Sequence, residues 1–342
     1  MAVFYALLFT LIAGVINGSY ALFTKYVKKW PFENTWMVFS LFTFFLGPWL
    51  FLLSLNSHAW QVYQIVPSSM LTRLVIGGVL FGCGQIGFAM ALDAIGMGLA
   101  FVINISLSTA LGPMLPLFFV HGRHPLHADT IFTVLGIVVI IVGLLVSYFA
   151  GKRRDRNMSS LSASKTRYAL GVLAAVVAGL GSAGQNFTFA STALMQASAL
   201  KLGLSPLASS FIIWPGFLTI ACVPYALYML VLNIKNRSFH AYATGEKRFY
   251  FFAIIMAVFW FGSLVFYSKA TQLIGSLGPV VIWPLFMSLI ILTSNFWGWR
   301  YGEWANADRH AKKMSILGVM LFVVAVVIFG YAAAISQGIT GV

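Results

Sequence analysis

"GKRRDRNMSSLSASKTR", residues 151 to 167, is the one long stretch of this 342-residue chain that is polar, basic and serine-rich together. What lies on either side decides the fold. The chain is 60% hydrophobic and only 8% charged, with a mean hydropathy of +0.92. Soluble globular domains carry about 25% charged residues, so a water-soluble fold is excluded. Apolar runs of the ~17–25 residues that cross a bilayer occur ten times: 4–24, 35–55, 72–92, 98–119, 130–150, 168–190, 206–233, 249–271, 277–298 and 314–335. Five precede the polar stretch and five follow it. The sequence therefore predicts an all-α integral membrane protein, with a first five-helix half at 1–150, a cytoplasmic linker at 151–167 and a second half at 168–342.

The charge pattern orients those spans. Net charge is +14, and the basic residues lie in short blocks between apolar runs. Seventeen of the 21 Lys and Arg fall in the odd-numbered connections, and the even-numbered ones hold one each. Cytoplasmic loops carry the excess of Lys and Arg, which puts both termini outside the cytoplasm. The same distribution argues against a nucleic-acid face. The first span lacks a preceding basic region, and Lys25, Lys28 and Lys29 follow it, so it reads as a span and not as a cleaved signal. Cys83 and Cys222 both lie in apolar runs and read as packing residues.

Five is an odd number, so similarity between the halves implies opposite orientations in the membrane, an inverted repeat. "ALDAIG" (91–96) aligns with "ATQLIG" (270–275), and "TVLGIVVIIVG" (133–143) with "SILGVMLFVVA" (315–325). "AGVINGSYALF" (13–23) faces "AGLGSAGQNFT" (178–188). Two inverted halves around a central site can expose it to each side in turn.

Four longer stretches resemble one family: "FTKYVKKWPFENTW" (23–36), "GCGQIGFAMALDAIGMG" (82–98), "SAGQNFTFA" (182–190) and "GEWANADRHAKKMSILG" (302–318). They are similar to the L-rhamnose–proton symporters, within the drug/metabolite transporter superfamily. The resemblance implies an inner-membrane carrier that takes up a sugar-like solute with a coupling ion, a proton or Na+. In the family pattern a Gln and an Asp early in the ninth span are followed by a Trp. Here Leu277 and Pro279 stand at the polar positions and the Trp is kept as Trp283.

Polar groups in hydrocarbon must be satisfied or face a cavity, which narrows the search for a site. Asn17, Gln85, Asn104, Gln185, Asn186 and Asn295 are the strongest set of polar groups inside spans. Asn104 lies eight residues beyond Gly96, roughly 12 Å along a helix, and shares a face with Ala100, Ser108 and Gly112 at i, i+4 spacing. The plain alternative is a small-residue packing seam. The repeat offset of 179 carries Asn104 onto Trp283, so the two are expected to approach a central cavity from opposite sides. Tyr20 corresponds to Gln185, and Trp214 and Trp260 are further aromatic candidates, with interface anchoring as their alternative role. The expected substrate-binding set is Asn104, Trp283, Gln85, Tyr20, Gln185, Asn186, Trp214, Trp260 and Asn17.

All seven acids, Glu33, Asp93, Asp129, Asp155, Glu246, Glu303 and Asp308, fall in loops or at span ends. No carboxylate stands at mid-membrane, and Asp93 and Lys269 are the nearest candidates for coupling or gating. "GLGSAG" (179–184) matches a dinucleotide-loop pattern, yet it lies in an apolar span with no preceding strand and reads as helix packing. His121, His124 and His127 read as a solvated loop. No metal-ligand spacing, nucleophile motif or carboxylate pair supports an enzyme, and no cofactor is implied. The expected function is secondary transport of a small polar metabolite, most simply a rhamnose-like monosaccharide with a proton. The alternative is an exporter, exchanger or facilitator of another metabolite such as an amino acid or nucleoside. Glycines 136 and 143 fit a homodimer seam as well as packing within a monomer.

Overall fold

The structure, a computed structural model, describes residues 1–27, 29–121, 128–154 and 165–336. Regular structure among them is helical throughout. Ten helices are long and apolar enough to span a bilayer: α1 Ala2–Tyr26, α2 Phe32–Leu55, α3 Ser68–Leu92, α4 Leu99–Phe119, α5 Thr130–Arg154, α6 Thr166–Ser191, α7 Pro206–Lys235, α8 Lys247–Ile274, α9 Gly278–Arg300 and α10 Arg309–Ile335. These are the ten spans expected from the sequence, with ends shifted by up to five residues.

Between α3 and α4 there is no loop. Helical hydrogen bonding continues from Ser68 to Phe119, and 52 residues in a straight line would reach ~78 Å at 1.5 Å each, far beyond a ~30 Å hydrocarbon core. The helix instead doubles back. A Cβ on Gly77 would strike Thr188 of α6, and Asn186, half a turn away, bonds to Gly112. Phe88 packs edge-on against Phe101 at 4.9 Å. Both α3 and α4 thus lie along α6, and the bend falls near residues 93–98. The approach is close because it is made through small residues: Gly84 backs onto Gly181, and Gly87 onto the Ala174 carbonyl.

Two spans carry local irregularities with identifiable causes. A π segment at Leu41–Leu46 swings Phe44 into contact with Phe39, Phe81, Tyr225 and Trp260. In α7 the helix ends at Phe211 and resumes at Ile213. There the Tyr63 hydroxyl, from the α2–α3 connection, donates to the Ile212 carbonyl and accepts from the Gly216 N–H at 3.0 Å. A side chain has inserted into the i→i+4 ladder, and Gly216 permits it, since a Cβ there would meet the Tyr63 ring at 2.5 Å.

Helices α5 and α10 pair along their length. Gly136 receives the ring of Phe329 and Gly143 that of Phe322, so α10 of the same chain fills both glycine notches. One end of the bundle, called here the linker rim, gathers the α1–α2, α5, α7–α8 and α9–α10 ends. Trp30 Nε1 donates to the Ala241 carbonyl at 2.9 Å, Glu303 lies 3.6 Å from both Lys25 and Arg154, and Arg153 binds Asp308 at 2.7 Å. The opposite rim holds the α2–α3, α6–α7 and α8–α9 connections, the last turning at Gly275 with φ +83°.

Candidate functional site

Near the opposite rim the bundle is closed by a dry layer of large side chains. Trp214 of α7, Tyr267 of α8 and Trp283 of α9 are at most 1% exposed. Phe189 of α6 stacks on Trp214 at 5.0 Å, and Tyr267 meets Trp283 edge-on at 5.5 Å and Phe286 at 5.4 Å. Every polar atom this layer brings from its long side chains has a partner. Trp214 Nε1 donates to Ser268 Oγ, and Trp283 Nε1 donates to the Ser108 carbonyl at 3.1 Å.

Asn186, fully buried, is the centre of the layer. Its amide donates to the carbonyls of Gly112 (2.9 Å) and Pro279 (2.8 Å) and accepts from the Tyr267 hydroxyl. One side chain of α6 therefore ties α4, α8 and α9 together. The bond to Gly112 has a local reason: four residues on stands Pro116, which has no N–H to offer that carbonyl. Gly112 also makes room for α9, because a Cβ there would lie 2.4 Å from Trp283 Nε1.

Beneath this layer, toward the linker rim, polar and aromatic groups keep partial exposure: Tyr20, Gln85, Asn104, Trp260 and Asn295. An unbroken run of ring contacts joins the two levels. Tyr20 stacks on Phe39 (5.8 Å), Phe39 meets Phe44 (6.3 Å), Phe44 meets Phe81 (6.1 Å) and Trp260 (5.5 Å). Phe81 then meets Phe217, and Phe217 meets Trp214. Gln85 is one turn from Phe81 on α3. Asn104 is one turn from Ser108 on α4 and accepts from Ser182 Oγ of α6 at 3.3 Å. Amides that donate and accept, beside aromatic faces, suit a neutral solute bearing hydroxyls on one side and C–H groups on the other.

The expected residues thus fall into two groups. Trp214, Trp283 and Asn186 belong to the dry layer, where Trp283 reaches α4 one to two turns beyond Asn104. Tyr20, Gln85, Asn104 and Trp260 belong to the partly exposed level, and Gln185, also on α6, is buried. Asn17 is used between helices, donating to Ser263 Oγ of α8 at 2.7 Å. Lys269 Nζ donates to Gln272 Oε1 at 2.7 Å, one turn along its own helix. The side chain of Asp93 lies outside the described residues, as do His124 and His127. Among the described residues no group of His, Cys, Asp and Glu could hold a metal ion. Tyr63, Phe44, Phe189, Tyr267 and Ser268 were not expected. A phenol and a hydroxyl side by side in an apolar span, as in Tyr267–Ser268, were the available signal for the last two.

Comparison with known proteins points one way. Residues 1–335 match the family model for the L-rhamnose-proton symport protein. Among curated relatives, an L-rhamnose-proton symporter of Escherichia coli is 26% identical over 325 residues, covering 92% of this chain and 93% of its own length. Those of Citrobacter koseri (25% over 322 residues) and Klebsiella pneumoniae (26% over 326 residues) are matched over similar shares.

Proposed function

The chain belongs to the L-rhamnose-proton symport family, and from that premise we propose that it carries a rhamnose-like sugar together with a proton across the inner membrane. The observation that supports this reading best is the asymmetry of the bundle. A dry layer closes one end, while amides and rings just beneath it keep partial exposure, as in one state of an alternating-access carrier. In this reading the sugar lies against Tyr20, Trp260 and Phe81, with Gln85, Asn104 and Gln185 hydrogen-bonding its hydroxyls. Trp283, Trp214 and Asn186 then close the site on the far side. Membership of the family does not favour the exporter, exchanger or facilitator alternative.

The positive-inside rule assigns the linker rim to the cytoplasm and both termini to the outside, so the dry layer is the outer gate. The rocking units are the two five-helix halves, and their inverted relation is supported by contacts that recur between them. Gly136 packs on Phe329, and Gly318 packs on Ser147. Each member of the second pair stands 182 residues from one member of the first. Gly179 packs on Leu107 of α4 and Gly14 on Leu289 of α9, and Leu107 and Leu289 have that same separation. The filling of the α5 notches by α10 supports the single chain as the transporting unit.

Purified protein in liposomes, given an inward proton gradient and a panel of radiolabelled sugars including L-rhamnose, tests the reading. Gradient-driven accumulation of at least one sugar is expected. Folded protein that accumulates none, or that does so equally with the gradient collapsed, overturns it.

A further inference from the structure

Proton symport requires a group that takes and releases the proton, and the expected mid-membrane acid is missing from the sequence. Four carboxylates have described side chains. Three are half-exposed and paired: Glu246 with Lys29 and Arg248, Glu303 with Lys25 and Arg154, and Asp308 with Arg153. The fourth, Glu33 in the first turn of α2, is only 4% exposed. Its hydrogen bond is a neutral one, from Asn236 Nδ2 at 3.0 Å. Among the described residues no Lys, Arg or His comes within ion-pair distance of it.

The surroundings of Glu33 are polar and incompletely matched. Asn34, fully buried, donates to the Ser238 carbonyl at 3.1 Å, while its Oδ1 finds no donor. Ser238 Oγ donates to Asn233 Oδ1 at 3.1 Å. The Tyr242 hydroxyl is buried beside Glu33, facing the amides of Asn233 and Asn34. Burial raises this phenol above its ordinary value, so it stays a neutral donor. Three elements pack here. The segment before α2 brings Lys29, with Lys28 outside the described residues. The end of α7 and the α7–α8 connection bring Lys235, Arg237, His240 and Glu246, and the start of α8 brings Lys247, Arg248 and Tyr250. Lys29 and Arg248 are engaged by Glu246, His240 Nδ1 lies 3.0 Å from the Arg237 carbonyl, and the Tyr250 hydroxyl donates to the Tyr242 carbonyl.

We propose that Glu33 is the residue that carries the coupling proton, an inference that rests on the symport reading above. A buried carboxylate without a cation is costly when ionised, whereas the acid form places a neutral O–H donor beside the Asn236 amide and the Tyr242 hydroxyl. The contact between the start of α2 and the α7–α8 turn is therefore tighter with the proton on. When that rim parts, water reaches Glu33 and solvates the anion, so the proton leaves on that side. The carboxylate gains one proton from water and returns it to water, with no other bond changed. Glu33 lies on α2, the helix whose Phe39 and Phe44 join the ring run to Tyr20 and Trp260, and this links its proton state to the sugar level.

Glu33→Gln keeps the shape and the Asn236 bond and removes the titration. In liposomes the variant is expected to retain sugar-for-sugar counterflow, which needs no net proton movement, and to lose gradient-driven accumulation, equalising sugar inside and out. Glu33→Asp is expected to keep accumulation with a shifted pH profile. Accumulation by Glu33→Gln equal to wild type overturns the proposal, and so does loss of counterflow in both variants, which marks a structural role. Wild-type protein that accumulates no sugar overturns instead the reading on which the proposal rests.

Discussion

Asn186→Ala is the sharpest test of the proposed outer gate. In the closed layer the amide satisfies three groups, of which two have little else: the Tyr267 hydroxyl and the Gly112 carbonyl, whose helical donor is lost to Pro116. Each buried group left unsatisfied costs about 1–3 kcal/mol. Opening the layer admits water to both, so the penalty falls on the closed state alone. A total of ~2 kcal/mol shifts the open-to-closed ratio roughly 30-fold, and ~3 kcal/mol more than 100-fold, at 1.4 kcal/mol per factor of ten. The assay is thiol labelling of Ser108→Cys, a position buried behind Trp283, in detergent and with Cys83 and Cys222 replaced. Labelling should accelerate by at least an order of magnitude when Asn186→Ala is added. A rate within twofold of the parent, from protein with an unchanged melting curve, would refute the assignment of Asn186 as the bolt of the layer.

Asn104→Ala and Gln85→Ala should each raise the KM for sugar uptake several-fold at unchanged expression, and an unaltered KM in both removes the α3–α4 amides from the site. Tyr63→Phe strands the Ile212 carbonyl and the Gly216 N–H across the break in α7. At about 1–3 kcal/mol per stranded group, it should lower Tm by several degrees, and a melting curve superimposable on wild type contradicts this account of the break. The Ala311 N–H and the Arg153 guanidinium hold the Asp308 carboxyl below the usual carboxylate range. A carboxyl lowered on folding stabilises the protein above its unfolded value of about 3.9, and that contribution fades as pH falls through the lower, folded value. Asp308→Asn should therefore flatten the acid limb of the Tm–pH curve, and parallel limbs would disprove the linkage.

The spans were legible because bilayer thickness imposes a length and hydropathy imposes a composition, and both can be counted along the chain. The site was less legible for a physical reason. Helices such as α7 and α9 are apolar on every face, so no amphipathic stripe reveals which way Trp214 or Trp283 points. The break that helps set Trp214 comes from Tyr63, about 150 residues earlier and in a connection. Asn186 could be named as a buried amide, but not as a bolt, because its partners are two backbone carbonyls and a phenol from three other helices. Glu33 read as an acid at a span end. Its burial comes from Asn233, Asn236 and Tyr242, some 200 residues away.

The two ends of the bundle are held by interactions of different strength, and that difference sets which end opens first. At the linker rim, Lys25–Glu303 and Arg154–Glu303 are 3.6 Å contacts with Glu303 48% exposed, and such pairs contribute about 0–1 kcal/mol each. The outer layer has no ion pairs to break, but opening it wets three large rings and the Asn186 bonds together. Burial of a single large apolar side chain alone contributes ~1.5–3 kcal/mol. From this state the rim therefore yields more readily than the layer. Among the described residues the rim's buried charge site is Glu33, so in the proposed cycle the group that senses that opening is also the one that loses a proton to it. In the proposed cycle the carrier releases its proton where its weaker gate lies, and opens the closed layer only when the Asn186 bonds and ring contacts are replaced together.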